Sequence, residues 1–264
     1  MTVTAKDGYE LSLTNTADGT WENTLIGAVE SADSSLKFYV RNKTTGAISE
    51  QITVAYKLDK NTETTRTTGK VEFVGRSSWQ TFVNHITFGL FYKDEVTVKA
   101  EADDGLSGVE SIEYAVSDKA MSLEEVMAIT DWTAMPIDGV GVTVEDEKTF
   151  VYFIRITDKA GNVTYISTDG AEYDTTCPAI GGIENGSIYH TTQVITVTDK
   201  NFESITVNGE PATLDSEGKL ALNGNLETTY AIQVMDKAGN VTEYTVTMKG
   251  IADITDSIKD ITVD

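Results

Sequence analysis

One cysteine, three prolines and two histidines are all that this 264-residue sequence contains of those types. The lone thiol, Cys177, excludes an internal disulfide, so the fold must rest on packing and hydrogen bonding. Neither His85 nor His190 accompanies a recognisable nucleophile motif, and Gly105-Leu-Ser-Gly108 lacks the spacing of a nucleophile elbow. That argues against Ser or Cys hydrolysis, and no catalytic residue is assigned. Basic residues are also scarce, 20 against 42 acidic ones, for a formal charge of −22. Nucleic acid and anionic lipid both need a basic footprint, so neither is an expected partner. No stretch approaches the ~18 to 20 apolar residues of a membrane span, so no membrane insertion is expected. Met1 opens directly onto the alternating Val3-Thr4-Ala5, with no signal peptide visible. The expectation is a fragment of an extracellular or cell-surface protein, lacking its signal and anchor.

What is present is strand-forming sequence. Thr and Val are abundant, and 40% of residues are hydrophobic, enough for several modest cores. The heptapeptide Asp-Lys-Ala-Gly-Asn-Val-Thr occurs at 158–164 and again at 236–242, a period of 78 residues. Each copy follows an apolar stretch read as alternating (Phe150 to Ile156, Tyr230 to Val234) and leads into a β-branched run. Strand, turn with Gly, strand is a hairpin signal. The Asp can accept bonds from backbone just beyond it, and Gly161 and Gly239 can supply positive φ. Recurrence at this period marks a tandem array of small β modules. The turn is expected to join the last two strands of its module and to point toward the next joint.

Residues 1–60 read as short strands with polar turns, with Trp21 expected in their core. Asn61 to Gly69 is a polar linker candidate, and Tyr173-Asp-Thr-Thr-Cys-Pro178 is its counterpart further on. Residues 61–176 are longer than a plain sandwich needs. Ser77 to Val83 has helical spacing of Trp79, Phe82 and Val83, and Ser122-Leu-Glu-Glu125 is a capping box, so two short helices are predicted there. Residues 177–250 return to short strands with Asn208-Gly209 and Asn223-Gly224 turns, and 251–264 read as a tail or linker.

The repeated heptapeptide, the Asp174-Thr-Thr-Cys-Pro178 joint, Ile183-Glu-Asn-Gly186 with Tyr189, and Asp103-Asp-Gly-Leu-Ser-Gly-Val-Glu-Ser-Ile-Glu-Tyr114 resemble bacterial immunoglobulin-like repeats of Gram-positive surface and secreted proteins. The resemblance is strong from 70 to 249 and weak before 60. It implies an all-β chain of three tandem immunoglobulin-like β-sandwich modules, the middle one with short helical insertions. It further implies a non-catalytic spacer or adhesion segment. Partners would be host or cell-wall glycans or proteins, and the chain a monomer. Cys177 departs from the small residue usual before the joint proline.

Two binding sites are candidates. A glycan site would use exposed aromatic faces, and Trp79, Trp132 and Tyr92 of the middle segment are the candidate ligand residues. The alternative function that follows is a glycan-binding accessory module of a carbohydrate-active enzyme. The competing reading places these aromatics in an enlarged core. No cofactor is required, but calcium is a candidate. Asp199, Asn201, Glu203 and Glu210 mimic EF-hand spacing, yet Ser204 stands where the loop needs Gly. A site joining Asp103 and Asp104 with another module's turn fits better. Asp103-Asp104, Glu124-Glu125 and Glu145-Asp146-Glu147 otherwise read as solvated surface rather than glycosidase pairs.

Overall fold

The structure, a computed structural model, describes residues 1–62, 65–74, 86–224 and 227–250. Its hydrophobic clusters fall in three successive stretches of sequence, each inside its own β-sandwich. The predicted helix at Ser77 to Val83, with Trp79, and the predicted tail lie outside the described residues.

The first sandwich is the smallest. Strand β1 (Thr2–Thr4) pairs with β3 (Thr24–Ile26), and β2 (Tyr9–Ser12), β4 (Ser31–Asn42) and β5 (Ile52–Leu58) form an antiparallel sheet of order β2-β4-β5. Leu11, Leu25 and Phe38 are its buried centre, with Leu36, Val40 and Val54 against them. Trp21 is not among them, contrary to the sequence expectation. It lies half-buried under the Arg41 guanidinium, 4.3 Å from its ring centre, and donates from Nε1 to Thr16 O at 3.2 Å. A cation over the ring and a partner for the indole N–H suit a half-solvated site, so no core position is needed.

The second sandwich comprises β6 (Thr68–Phe73), β7 (Leu90–Tyr92), β8 (Thr97–Asp103), β9 (Val109–Ser117), α1 (Leu123–Met127), β10 (Thr133–Ala134), β11 (Val140–Gly141), β12 (Lys148–Asp158), β13 (Val163–Ser167) and β14 (Ala171–Tyr173). One sheet has the order β11-β8-β6. The other runs β10-β9-β12-β14-β7 with β13 also on β12, and β7 is parallel to β14. The third sandwich comprises β15 (Ala179–Gly181), β16 (Ile188–Tyr189), β17 (Gln193–Thr198), β18 (Phe202–Val207), β19 (Glu210–Ala212), β20 (Lys219–Leu222), β21 (Thr228–Asp236) and β22 (Val241–Met248). It repeats the plan: β15-β17-β20 faces β16-β22-β21-β18-β19, again with one parallel edge pair, β16 on β22. The chain is therefore all-β with immunoglobulin-like sandwiches in tandem.

Period-two burial builds most strands. Val71 and Phe73 are buried with Glu72 half-exposed between them, and Ile232 and Val234 flank an exposed Gln233. Strand β12 departs from this. Phe150, Val151, Tyr152, Phe153 and Ile154 are all buried, so the stretch read as alternating is covered on both faces. The reason is the insertion between β9 and β10. Val126 of α1, with Ile86, Phe88, Met121, Ile129 and Trp132 around it, packs on Val151 and Phe153 and makes a second small core. A helix of five residues has almost no stability of its own. The capping box starts it, with Glu125 N donating to Ser122 Oγ at 3.3 Å and Ser122 N to Glu125 Oε2 at 2.7 Å. Burial of Val126 then holds it. No helix among the described residues is long and apolar enough to cross a membrane.

Because the cores are separate, damage to one should stay local. Ile195→Ala, at a fully buried position of the third cluster, is expected to cost about 2–5 kcal/mol. In calorimetry it should lower one melting transition and leave the first sandwich's transition in place; a common shift of every transition would contradict separate cores.

Candidate functional site: the joints between sandwiches

The repeated heptapeptide folds as its residue types imply. In the first copy, Asp158 Oδ1 accepts the amides of Ala160 and Asn162 at 2.9 Å each, and Gly161 has φ +90°. In the second, Asp236 Oδ1 accepts Asn240 N at 2.8 Å, and Gly239 has φ +83°. Direction is the correction. Each turn faces the joint that precedes its sandwich, where the sequence reading had it facing the next. Thr164 Oγ1 donates to Thr67 O at 3.2 Å, and Thr242 Oγ1 to Pro178 O at 2.6 Å.

Both joints follow one plan. A linker aspartate, Asp59 or Asp174, accepts through Oδ1 from the backbone two residues on, Asn61 N at 2.9 Å and Thr176 N at 3.0 Å. The preceding sandwich adds an acidic clasp. Glu30 accepts Lys60 N and the hydroxyls of Thr62 and Thr65 at 2.6–2.8 Å. The Thr65 hydroxyl, followed by the Lys60 amide, draws the Glu30 carboxyl down to about 2. Asp146 does the same for Thr175 N and Thr176 Oγ1 at 2.6 and 2.7 Å, and the Thr175 amide is the main reason its carboxyl lies below the usual range. The following sandwich supplies its heptapeptide turn and a second turn, between β8 and β9 at the first joint and between β17 and β18 at the second.

The second joint is closed by amides. Asn201 Nδ2 donates to Asp174 Oδ2 at 2.6 Å and to Glu172 Oε1 at 2.8 Å. Asn240 Nδ2 donates to Asp174 O and to Asp236 Oδ2 at 2.8 Å each. Lys200 Nζ reaches Glu172 Oε1 at 2.6 Å. Glu172, Asp174, Asn201, Asp236 and Asn240 are all buried. Burial pushes the Asp199 carboxyl up, and the charges of Asp236, Asp174 and Glu147 add to that against the opposing Asn201 amide.

The first joint keeps one amide, Asn162, whose Nδ2 donates to Asp158 Oδ2 at 2.8 Å as Asn240 Nδ2 does to Asp236 Oδ2, but it has glycine, Gly108, at the place of Asn201. Ligand oxygens of Asp59, Asp104 and Asp158 lie within 4.8 Å of one another, the one such acidic group among the described residues. Asp104 Oδ1 accepts Leu106 N, Ser107 N and Gly108 N at 3.2, 2.7 and 2.6 Å. Desolvation pushes its carboxyl up, but the amides of Gly108, Ser107 and Leu106 outweigh that and hold it below the usual range. Thr67 Oγ1 lies 3.2 Å from Asp104 Oδ2 and 3.4 Å from Asp158 Oδ2. Asp104 thus meets a linker aspartate and its own sandwich's turn, rather than another module's turn. Asp103, in β8, is exposed and outside the group.

The remaining candidates are dispersed. Tyr92 is buried in the second sandwich's main core, 5.2 Å from the Phe73 ring centre. Trp132 is half-buried in the other cluster, donates to Ile129 O at 2.9 Å, and carries the Arg155 guanidinium 4.7 Å from its ring centre. Trp79 lies outside the described residues. The EF-hand-like set does not converge, since Glu203 is in β18, Glu210 in β19 and Asn201 turns toward Asp174. The joint plan was missed because Asp59 and Asp174 look like ordinary linker residues; the Asp-x-Asn and Asp-x-Thr pairs after each last strand were the available signal.

No family model matches the chain, and no curated protein matches it. Among solved structures it is similar to murine CEACAM1b, at 12% identity and a TM-score of 0.41 over 70% of this chain and 100% of that one. It is also similar to three N-terminal domains of the bacteriophage RB49 outer capsid protein Hoc, at 10% identity and a TM-score of 0.35 over 95% and 93%. A third similarity is to fibronectin(III)-like modules of Clostridium thermocellum CbhA, at 11% identity and 0.31 over 68% and 93%. Scores this low carry no information on what the chain does.

A carboxyl whose folded value is raised destabilises the fold above that value, and the penalty disappears below its unfolded value. Asp199→Asn, which keeps an Oδ1 acceptor for Asn201 N, should therefore raise the melting temperature at pH 7. The gain should shrink as pH falls through the raised folded value toward the ordinary carboxylate range. Melting curves between pH 7 and 3 check this, and a gain independent of pH would contradict it.

Proposed function

We propose that the chain is a stiff, non-catalytic spacer or adhesion segment of a bacterial cell-surface or secreted multidomain protein. The observation that carries this is the double anchoring of each linker. Glu30 and Asp146 clasp the linkers from the preceding sandwich, while the turns at Asp158 and Asp236 bond them from the following one. A linker bonded on both sides fixes the angle between neighbours, which is what a spacer needs and an ordinary flexible linker lacks. The division at about residues 60 and 176 belongs to this reading. Candidate partners are host or cell-wall glycans or proteins, bound by a monomer held away from its anchor. Arg155 over the Trp132 ring and the burial of Tyr92 weigh against a glycan platform built on those two rings.

Small-angle scattering of the chain in millimolar calcium chloride tests stiffness. The expected result is a single extended shape whose maximum dimension stays constant from 10 °C to just below melting. A broad distribution of shapes that includes compact ones would overturn the proposal.

A further inference from the structure

The two joints place equivalent oxygens in opposite situations. Asp174 Oδ2 accepts the Asn201 amide at 2.6 Å, whereas Asp59 Oδ2 is buried and accepts no hydrogen bond among the described residues. The turn that presents Asn201 corresponds to the one at 104–108. Lys237 N donates to Asn201 O, and Lys159 N donates to Gly108 O, both at 2.9 Å. Glycine stands at the amide's place, so no donor can reach Asp59 from there. A ligand oxygen of Asp104 lies within 4.8 Å of those of Asp59 and Asp158 and adds a negative charge there. No Lys or Arg is within ion-pair distance of Asp59, Asp104 or Asp158 among the described residues. Asp158 Oδ2 already accepts Asn162 Nδ2 at 2.8 Å, and the one hydroxyl proton of Thr67 faces Asp104 and Asp158, so neither donor serves Asp59 Oδ2. A buried, unpaired carboxylate oxygen beside two further carboxylates is costly unless a positive group meets them.

From this we infer that the first joint is a divalent-cation site in which Asp59, Asp104 and Asp158 are the protein ligands. The ion does there what Asn201 does in the second joint, so one joint closes on an ion and the other on its own side chains. The donor chemistry selects the ion. An all-oxygen, all-carboxylate set with no His or Cys disfavours zinc and copper and suits a hard cation. Calcium accepts oxygens at about 2.3–2.6 Å in variable geometry, so two ligands of one ion stand up to roughly 5 Å apart, which matches oxygens spread within 4.8 Å. Magnesium needs a tighter octahedron and keeps more of its water. The remaining positions on calcium would be filled by water, since Asp59 and Asp104 are only partly buried.

A shared proton is the other means of relieving clustered carboxylates. It does not suit Asp104, whose Oδ1 receives three backbone amides, a bonding pattern that favours the ionised form.

The test uses the full chain, stripped with EDTA and dialysed, then titrated calorimetrically with calcium chloride and separately with magnesium and zinc chlorides. Asp59→Asn and Asp104→Asn each keep an Oδ1 acceptor for the backbone while removing charge, so both should fold. The expected result is one saturable calcium per chain, bound at least about 10-fold more weakly by either variant. Saturating calcium should raise a melting transition by about 5 °C or more in the parent and much less in the variants. In EDTA, Asp59→Asn should melt at or above the parent, because it removes repulsion. Asn201→Asp should add a second calcium. The inference is overturned if no saturable binding appears up to ~10 mM calcium, the weak end for extracellular modules. It is equally overturned if binding survives both aspartate substitutions undiminished, or if zinc binds in preference. Calcium binding by a chain that scattering shows to be flexible would sink the spacer reading and leave the site standing.

Discussion

Capture of a linker aspartate by the turns of the following sandwich is the interaction on which the arrangement of this chain depends. Each sandwich can bury its own core without help, because the hydrophobic clusters lie within separate stretches of sequence. Nothing in those cores fixes one sandwich relative to the next. That task falls to a few polar groups, and polar contacts define an angle only when they are buried and satisfied. At the second joint five such residues are buried together, two amides donating among three carboxylate residues, and the exposed Lys200 donates to one of those carboxylates. The clasp from Glu30 or Asp146 keeps the linker on the surface of the sandwich it leaves.

The same plan with different side chains gives joints of different character. Asn201 is a donor built into the chain, so the second joint depends on no solute. Gly108 offers no side chain at the matching place, and the acidic group beside it must find its counter-charge outside the protein. An overall charge of −22 makes acidic clusters common, and most carry no meaning. Asp59, Asp104 and Asp158 differ from such clusters because one carboxylate oxygen is buried with no partner among the described residues while its counterpart 115 residues on is satisfied.

Local chemistry was legible in the sequence; spatial direction was not. Hairpins, the capping box at Ser122 and the Asp-and-Gly turn all rest on contacts between near neighbours, which a sequence displays directly. Tandem sandwiches followed from the period of 78. The turn's direction depends instead on a parity count. Strands β6, β8, β9, β10, β11 and β12 cross the second sandwich an even number of times, so the turn after β12 returns to the end where the chain entered. Leaving out the two-residue β10 and β11 does not change that parity; the misleading strand is β7, which pairs parallel with β14 and adds no return crossing. Burial of β12 on both faces was hidden for a similar reason, since it depends on where α1 lands. Asp104 was suspected as a cation ligand, but its partners Asp59 and Asp158 come together only through that same topology.

The central claim is that the two joints are closed by different means, one by an ion and one by an internal amide. Spin-label distance measurements test it most directly, with Cys177 replaced by serine and label pairs at exposed Thr53 and Glu110 across the first joint and at Glu110 and Glu243 across the second. The account predicts a narrow distance distribution across the second joint with or without a chelator. Across the first it predicts a narrow distribution in calcium that broadens in EDTA. Distributions that respond identically at both joints would contradict it.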